Sequence, residues 1–376
     1  MSDSSPRLLE GIRVIEMASY ISGPLAGSLM NELGAEVIKL EHPPTGDPFR
    51  GWGSTESPRA SFIAYNANKA SVCIDWTGER EWFDNLLRSA DVLLSNFRPA
   101  TQEKLGLTFD QLKKINPQLI VCNITGFGRT GAYADRPCYD AVAQAMSGLM
   151  SQLTDADTPQ CVGPPLSDSI AGLYSTIGIL AALVERQKTG KGRAVDVSMV
   201  GSSLSLVRNA VGSELLESAP SGKQTRAMSS QSYAFVGNDG KGFVVHLSTP
   251  QKFWIGLLDT VGRPELASDE RFKDKKSRVK HYIELQNELQ KEFSKGPRNE
   301  WLSKLSDHDV PCGPILSPGE AAKDSLLTNQ VIPDAAQQFE LTKRSWLEGL
   351  ERDLEATAPS IGSDNERFGL PPLQTL

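Results

Sequence analysis

The run from residue 170 to residue 184 is apolar nearly all round and carries no charge, so it reads as a helix buried on most sides, around which the fold must be organised. Pro164 and Pro165 cannot lie in a helix interior, which sets the start at about Ser167 or Asp168. At the far end the chain turns polar at residues 185–188. Gly190 and Gly192 supply stop signals, and Arg186 and Lys188 face the negative end of the helix dipole. This punctuation delivers Asp168 to the helix mouth, where free backbone N–H groups and the positive dipole end are expected to hold a carboxylate ionised. Asp168 then either caps the helix, as Asp often does, or presents a reactive carboxylate. If it only caps, Asp168→Asn should cost little stability, because Asn caps about as well.

Upstream, strands and helices alternate. A strand is predicted over 12–17, a loop over 19–23, a helix over 24–33 with Pro24 in its first turn and Gly34 closing it, and a strand over 36–40, which together make a βαβ unit. Strand 70–75, helix 79–90, strand 91–94, helices 100–105 and 109–115, and strand 119–125 continue the pattern. The fold class is therefore α/β, with a large Rossmann-like domain whose mostly parallel sheet is covered on both faces. In such sheets ligands gather at the carboxyl ends of the strands, which points to residues 19–23, 41–42, 96–98 and 126–128. Glu41 stands where nucleotide-binding folds often place a ribose ligand, but Gly23 and Gly27 do not form the dinucleotide fingerprint. Beyond a helix over 139–150, the Asp168 helix, a strand over 194–198 and a helix from about 201, the composition becomes linker-like. We expect a large domain over 1–217, a linker over 218–231, a smaller α+β domain over 232–320 opening on a β-hairpin, and a C-terminal segment, 321–376, returning to the large domain.

Composition excludes several classes of function. With 39 basic against 46 acidic residues the net charge is −7, which argues against nucleic acid as the main partner. The N-terminus lacks the basic and apolar regions of a signal peptide, and no uncharged apolar run reaches the length of a membrane span; a soluble, cytoplasmic protein without a membrane partner is expected. Cys73, Cys122, Cys138, Cys161 and Cys312 are odd in number and scattered, suggesting neither a disulfide framework nor a zinc site. His42, His246, His281 and His308 are too dispersed to suggest a metal.

Short motifs run through most of the chain in a fixed order: residues 9–16, Gly23-Pro-Leu-Ala-Gly, residues 33–41, Asn68-Lys69, Asn96-Phe-Arg-Pro, Lys104-Leu-Gly, Gly126-Phe-Gly, Arg136-Pro-Cys-Tyr-Asp140, residues 192–198, Asp269-Glu-Arg-Phe and residues 310–315. In this the chain resembles the family III CoA-transferases, the group of formyl-CoA and carnitine CoA-transferases that also contains α-methylacyl-CoA racemase. The resemblance implies that Asp168 is a nucleophile, carrying first an acyl anhydride and then a CoA thioester while CoA moves from a donor to a carboxylate acceptor. Tyr139 and Asp140 are implied near the reacting thioester. His42, Asn68, Lys69, Asn96, Phe97, Arg98, Lys104 and Arg136 are implied around CoA, which is a substrate and not a resident cofactor; no metal is implied. Family members form interlocked homodimers, and the same is expected here.

Three departures stand out. Tyr139 occupies the place of the racemase histidine, which disfavours α-proton exchange. Ile21 replaces a glutamine of the formyl-CoA enzymes, and Met228-Ser-Ser-Gln-Ser232 replaces their glycine-rich loop, which speaks against formate and oxalate as the substrate pair. The alternatives are an acyl-CoA racemase or isomerase, and a CoA-binding protein without turnover.

Overall fold

The computed structural model describes residues 7–52, 60–323, 332–333, 339–340 and 357–373. Two compact units emerge. The first comprises Met1–Ser151, Pro159–Gly212 and Ser325–Leu376, and the second Gln152–Thr158 and Ser213–Asp324.

The first unit opens with β1 (Arg13–Met17), α1 (Ser22–Glu32), β2 (Glu36–Glu41), α2 (Ala60–Asn66), β3 (Ala70–Cys73), α3 (Arg80–Arg88) and β4 (Val92–Ser95). It continues with α4 (Pro99–Leu105), α5 (Phe109–Leu112), β5 (Ile120–Thr125), α6 (Asp140–Met146), α7 (Leu166–Thr189), β6 (Ala194–Ser198) and α8 (Met199–Leu206). The strands lie in the order β3-β2-β1-β4-β5-β6, and every adjacent pair is parallel. This is a doubly wound sheet whose direction of winding reverses between β1 and β4. A crevice is therefore expected outside their carboxyl ends.

Side-chain alternation along the strands builds two cores. Val14, Val92, Leu94, Ile120 and Cys122 face α1 and α7, packing with Ala26, Met30, Ala171 and Ile179. Ile15, Leu93 and Val121 face the other way, against Phe83, Leu86, Leu87 and Leu112. The edge strand β3 is closed by the C-terminal segment. Asp364 Oδ2 accepts from the Ser71 amide at 2.9 Å, and Asn365 pairs with both the amide and the carbonyl of Cys73. An edge that would otherwise invite pairing with another chain is thereby satisfied.

Helix α7 corrects one expectation. At 24 residues it is long and apolar enough to cross a bilayer by length and composition, because the few polar residues flanking the run read from the sequence do not offset its apolar character. Half of it is buried, against the sheet, α1, α6 and α8, as a core helix is. Helix α2 was not anticipated, and α5 is shorter than the predicted 109–115.

After α9 (Arg208–Leu216), the stretch read as linker contains α10 (Thr225–Ser230). The second unit then has the expected hairpin, β7 (Ser232–Val236) with β8 (Gly242–His246), followed by α11 (Gln251–Val261), α12 (Lys275–Lys280), α13 (Tyr282–Phe293), α14 (Arg298–Asp307) and β9 (Cys312–Pro314). β9 is the third strand of the antiparallel sheet, paired with β8. Helices α12 and α13 are separated at His281. Residues 152–158 belong with this unit although they lie far upstream in sequence. Trp254, Phe235, Phe243, Phe293 and Leu289 fill its core.

Candidate active site

Two loops meet at the reversal of the sheet. After β1 the chain runs through Ser19 and Tyr20 into α1, and after β4 it reaches Asn96. The Asn96 side chain accepts from the Ser19 amide at 3.1 Å and donates to the Ser19 carbonyl at 2.8 Å and to Ser22 Oγ at 3.4 Å. Ser22 Oγ in turn lies near the Asp168 carboxylate, which its hydroxyl favours in the ionised form. Close approach of α1 to α7 makes this possible. At Gly172, one turn beyond Asp168, a Cβ would stand 2.9 Å from the Ser22 carbonyl oxygen. Glycine is required there because two backbones meet.

Asp168 does not cap α7. The helix begins at Leu166, one or two residues earlier than expected, and Asp168 lies inside its first turn. The free amides of Ser167 and Asp168 instead donate to Asp140 Oδ1, at 2.8 and 3.2 Å. The other oxygen of Asp140 accepts from Gln144 Nε2 at 2.5 Å. Asp140 therefore caps α7 from a different helix. Asp168 gains no such compensation. Burial and the neighbouring Asp140 charge push its carboxyl up to about 7, against the lowering influence of the Ser22 hydroxyl. The expectation that the helix mouth would hold Asp168 firmly ionised is thus corrected, since a second carboxylate has taken the amides.

Apart from Asp140, the titratable groups that sense Asp168 stay neutral. Tyr65 on α2 is raised by burial and by the Asp168 charge, so it stays a phenol. Burial, Asp168 and Asp140 together push the Cys138 thiol up to about 11, and its side chain lies so close to Gly126 that a Cβ there would be 2.2 Å away. Tyr20 meets Tyr139 edge-on, with ring centroids 5.9 Å apart, and Phe49 joins Tyr20 to Tyr65. Tyr139 is itself largely exposed and provides the backbone start of α6.

The remaining sequence-predicted residues divide by location. His42 follows β2, exposed and edge-on to Trp76, with Nε2 3.6 Å from Asp75. Phe97 packs into the core beside α3, Arg98 donates to the Asp135 carbonyl at 3.3 Å, and Lys104 is exposed in the last turn of α4. Arg136 lies 4.6 Å over the Tyr133 ring and 6.0 Å from that of Phe127. All five stand beyond carboxyl ends of strands. Asn68 and Lys69 do not. Asn68 immediately precedes β3, at the amino edge of the sheet, on the rim of a cavity of about 620 Å³ also lined by Arg7, Asn31 and Arg367. Lys69 is buried in an ion cluster, bonded to Glu16, Asn66 and the Pro24 carbonyl. Glu41 is likewise engaged, accepting from Arg50, Ser71 and the Asp47 amide.

Sequence reading passed over Ser22, Tyr20, Tyr65 and Cys138 as individuals. Ser22 and Tyr20 lie in the loop it singled out after β1, and Cys138 adjoins Tyr139; nothing local marks Tyr65. Among the described residues no group of three His, Cys, Asp or Glu is placed to hold a metal.

Comparison with known proteins agrees with this geometry. The family described as CoA-transferase family III matches residues 9–365. The acetyl-CoA:oxalate CoA-transferase of Acetobacter aceti is 35% identical over 83% of this chain and 82% of its own length. The succinate–glutarate CoA-transferase of Agrobacterium fabrum is 33% identical over 84% and 82%. Among solved structures, a CaiB/BaiF family protein from Brucella suis superposes with a TM-score of 0.82 at 30% identity, covering 96% of this chain and 98% of its own.

Proposed function

We propose that this chain, which belongs to CoA-transferase family III, moves coenzyme A from an acyl-CoA donor to a small carboxylate acceptor, with Asp168 as the nucleophile. The observation that carries this reading is the state of Asp168, a carboxylate at the switch point of the sheet, raised to about 7 and touched by one hydroxyl donor. A carboxylate of raised basicity is a better nucleophile once ionised, and at neutral pH a large share is ionised.

One oxygen of Asp168 attacks the thioester carbonyl and expels CoA thiolate, leaving an aspartyl–acyl anhydride. The thiolate then attacks the aspartyl carbonyl, releasing the donor acid and forming an aspartyl-CoA thioester. The acceptor carboxylate attacks that thioester, expelling the thiolate once more, and thiolate attack on the acceptor carbonyl of the new anhydride frees Asp168 and the product acyl-CoA. Overall, one acyl thioester is exchanged for another of similar energy, and each step balances in atoms and charge without an external reagent. Ser22 Oγ orients the attacking carboxylate, and Asp140, tied to the α7 amides, keeps its place beside it. The aromatic wall of Tyr20, Tyr65 and Tyr139 limits access of water to the anhydride. The relatives' names include oxalate, succinate and glutarate, which supports a small acid as acceptor.

The same reading makes the protein an interlocked homodimer. Leu173, Ile177 and Val184 on α7 and Leu204 and Leu206 on α8 are exposed, an apolar face that a second copy would cover. Five unpaired cysteines suit a reducing cytoplasm.

Incubation with acyl-CoA and hydroxylamine tests the mechanism. Mass spectrometry is expected to find a hydroxamate on Asp168 and none in Asp168→Asn. Isotope exchange at the α-carbon without a carboxylate acceptor would instead identify a racemase, and CoA binding with no exchange across a panel of acids a binding protein.

A further inference from the structure

Beneath α1, between that helix and the sheet, lies a cluster of four fully buried charges that the chemistry above does not use. Glu16 on β1 receives Lys39 Nζ at 3.0 Å on one oxygen and Lys69 Nζ at 2.7 Å on the other. Lys39 also reaches Asp47 Oδ2 at 2.8 Å. The two lysines balance the two carboxylates, and burial of such a cluster is as a rule no more stabilising than apolar packing of the same volume. Gly27 allows α1 to lie directly on it, since a Cβ there would stand 1.9 Å from Glu16 Oε2.

What the cluster does hold is the loop after β1. Lys39 also donates to the Ala18 carbonyl at 2.9 Å, and Lys69 to the Pro24 carbonyl at 2.8 Å, so the ammonium groups grip the start of the loop and the first turn of α1 into which it runs. Between these points the Tyr20 amide donates to Asp47 Oδ1 at 3.2 Å. Tyr20 has φ +64°, a left-handed conformation that a tyrosine adopts only when its surroundings impose it. With Lys69 also donating to Asn66 Oδ1 at 3.0 Å, all three protons of its ammonium are committed inside the protein. Ser22, whose hydroxyl reaches Asp168, lies between the two grips.

We propose that Lys39 and Lys69 are positioning residues that clamp segment 18–24, the loop after β1 and the first turn of α1, at both ends and thereby hold Ser22 Oγ beside the Asp168 carboxylate. The inference rests on Asp168 being the nucleophile. It places two charged side chains in the service of the reaction without either touching substrate.

The test is a double-mutant cycle between Ser22→Ala and each of Lys39→Met and Lys69→Met, read by steady-state exchange. Each single variant should lower kcat about tenfold, the scale of one hydrogen bond to a charged group, with KM for acyl-CoA changed less than about twofold. Each double variant should be no slower than its slower parent, because both changes remove one interaction. Additive losses, or a rise in KM with kcat preserved, would overturn the clamp. Failure of both lysine variants to fold would overturn it as well, by showing that the cluster determines the fold and not the loop. Asp168→Asn, run alongside, tests the underlying reading separately. Exchange surviving that change removes the nucleophile, whereas an inactive Asp168→Asn with additive Ser22 and lysine effects removes only the clamp.

Discussion

Asp168→Asn separates two roles that one residue could have combined. The amide cannot form an anhydride, so exchange should vanish. Stability should move the other way. The unfolded carboxyl titrates near 3.8 and the folded one near 7, so between these values the folded state holds a proton that the unfolded state has lost. Native stability therefore falls as pH rises from about 4 to about 7, and the full cost of the buried charge is present above 7. Removing the charge is expected to raise stability by about 1–3 kcal/mol at pH 8 and to change it little at pH 4, as paired thermal melts would show. A capping role alone would leave both melts nearly unchanged, since Asn caps about as well as Asp, and that small effect is what the sequence reading anticipated. The same titration shapes catalysis. The ionised form attacks, so kcat/KM should rise with pH through about 7. Ser22→Ala removes the hydroxyl that lowers Asp168, and the limb of the profile should shift to higher pH.

Helix α7 depends for its start on α6. Asp140→Asn keeps an oxygen to accept from the Ser167 and Asp168 amides but removes the charge that repels Asp168. Its activity limb should move to lower pH with little loss of stability. Asp140→Ala should make the same shift and also cost about 1–2 kcal/mol, since the α7 amides lose their acceptor. Comparing the two variants by pH profile and urea unfolding distinguishes capping from charge. If both profiles stayed at the wild-type position, Asp140 would have no electrostatic hold on Asp168.

At the scale of the whole molecule, chain ends far apart in sequence complete one sheet. Asn365 is buried and serves the amide and carbonyl of Cys73 across 292 residues. Asn365→Ala leaves both groups without their partner and should cost about 2–3 kcal/mol. Because β3 would become an open edge, its unfolding should also give more aggregate, measurable by light scattering during a melt. A variant as stable and as soluble as the wild type would show that the C-terminal segment covers β3 without supporting it.

Local pattern carried much of this architecture. Short apolar runs and Gly and Pro punctuation mark β1 to β6 to within about a residue or two at most ends, because both depend on residues close together in the chain. The same punctuation brought Asp168 to the mouth of α7, and strand ends pointed to the loop that holds Ser22 and Tyr20. Tertiary structure alone decided what those residues experience. The α7 amides are capped from 27 residues away by Asp140, and this leaves Asp168 beside a like charge instead of free donors. Lys69, which looks from its neighbours like a cation available to a phosphate, is neutralised by Glu16, 53 residues upstream. Periodicity is a property of neighbours in sequence, whereas burial and charge pairing belong to groups that only packing brings together; elements were therefore legible, and electrostatic roles were not.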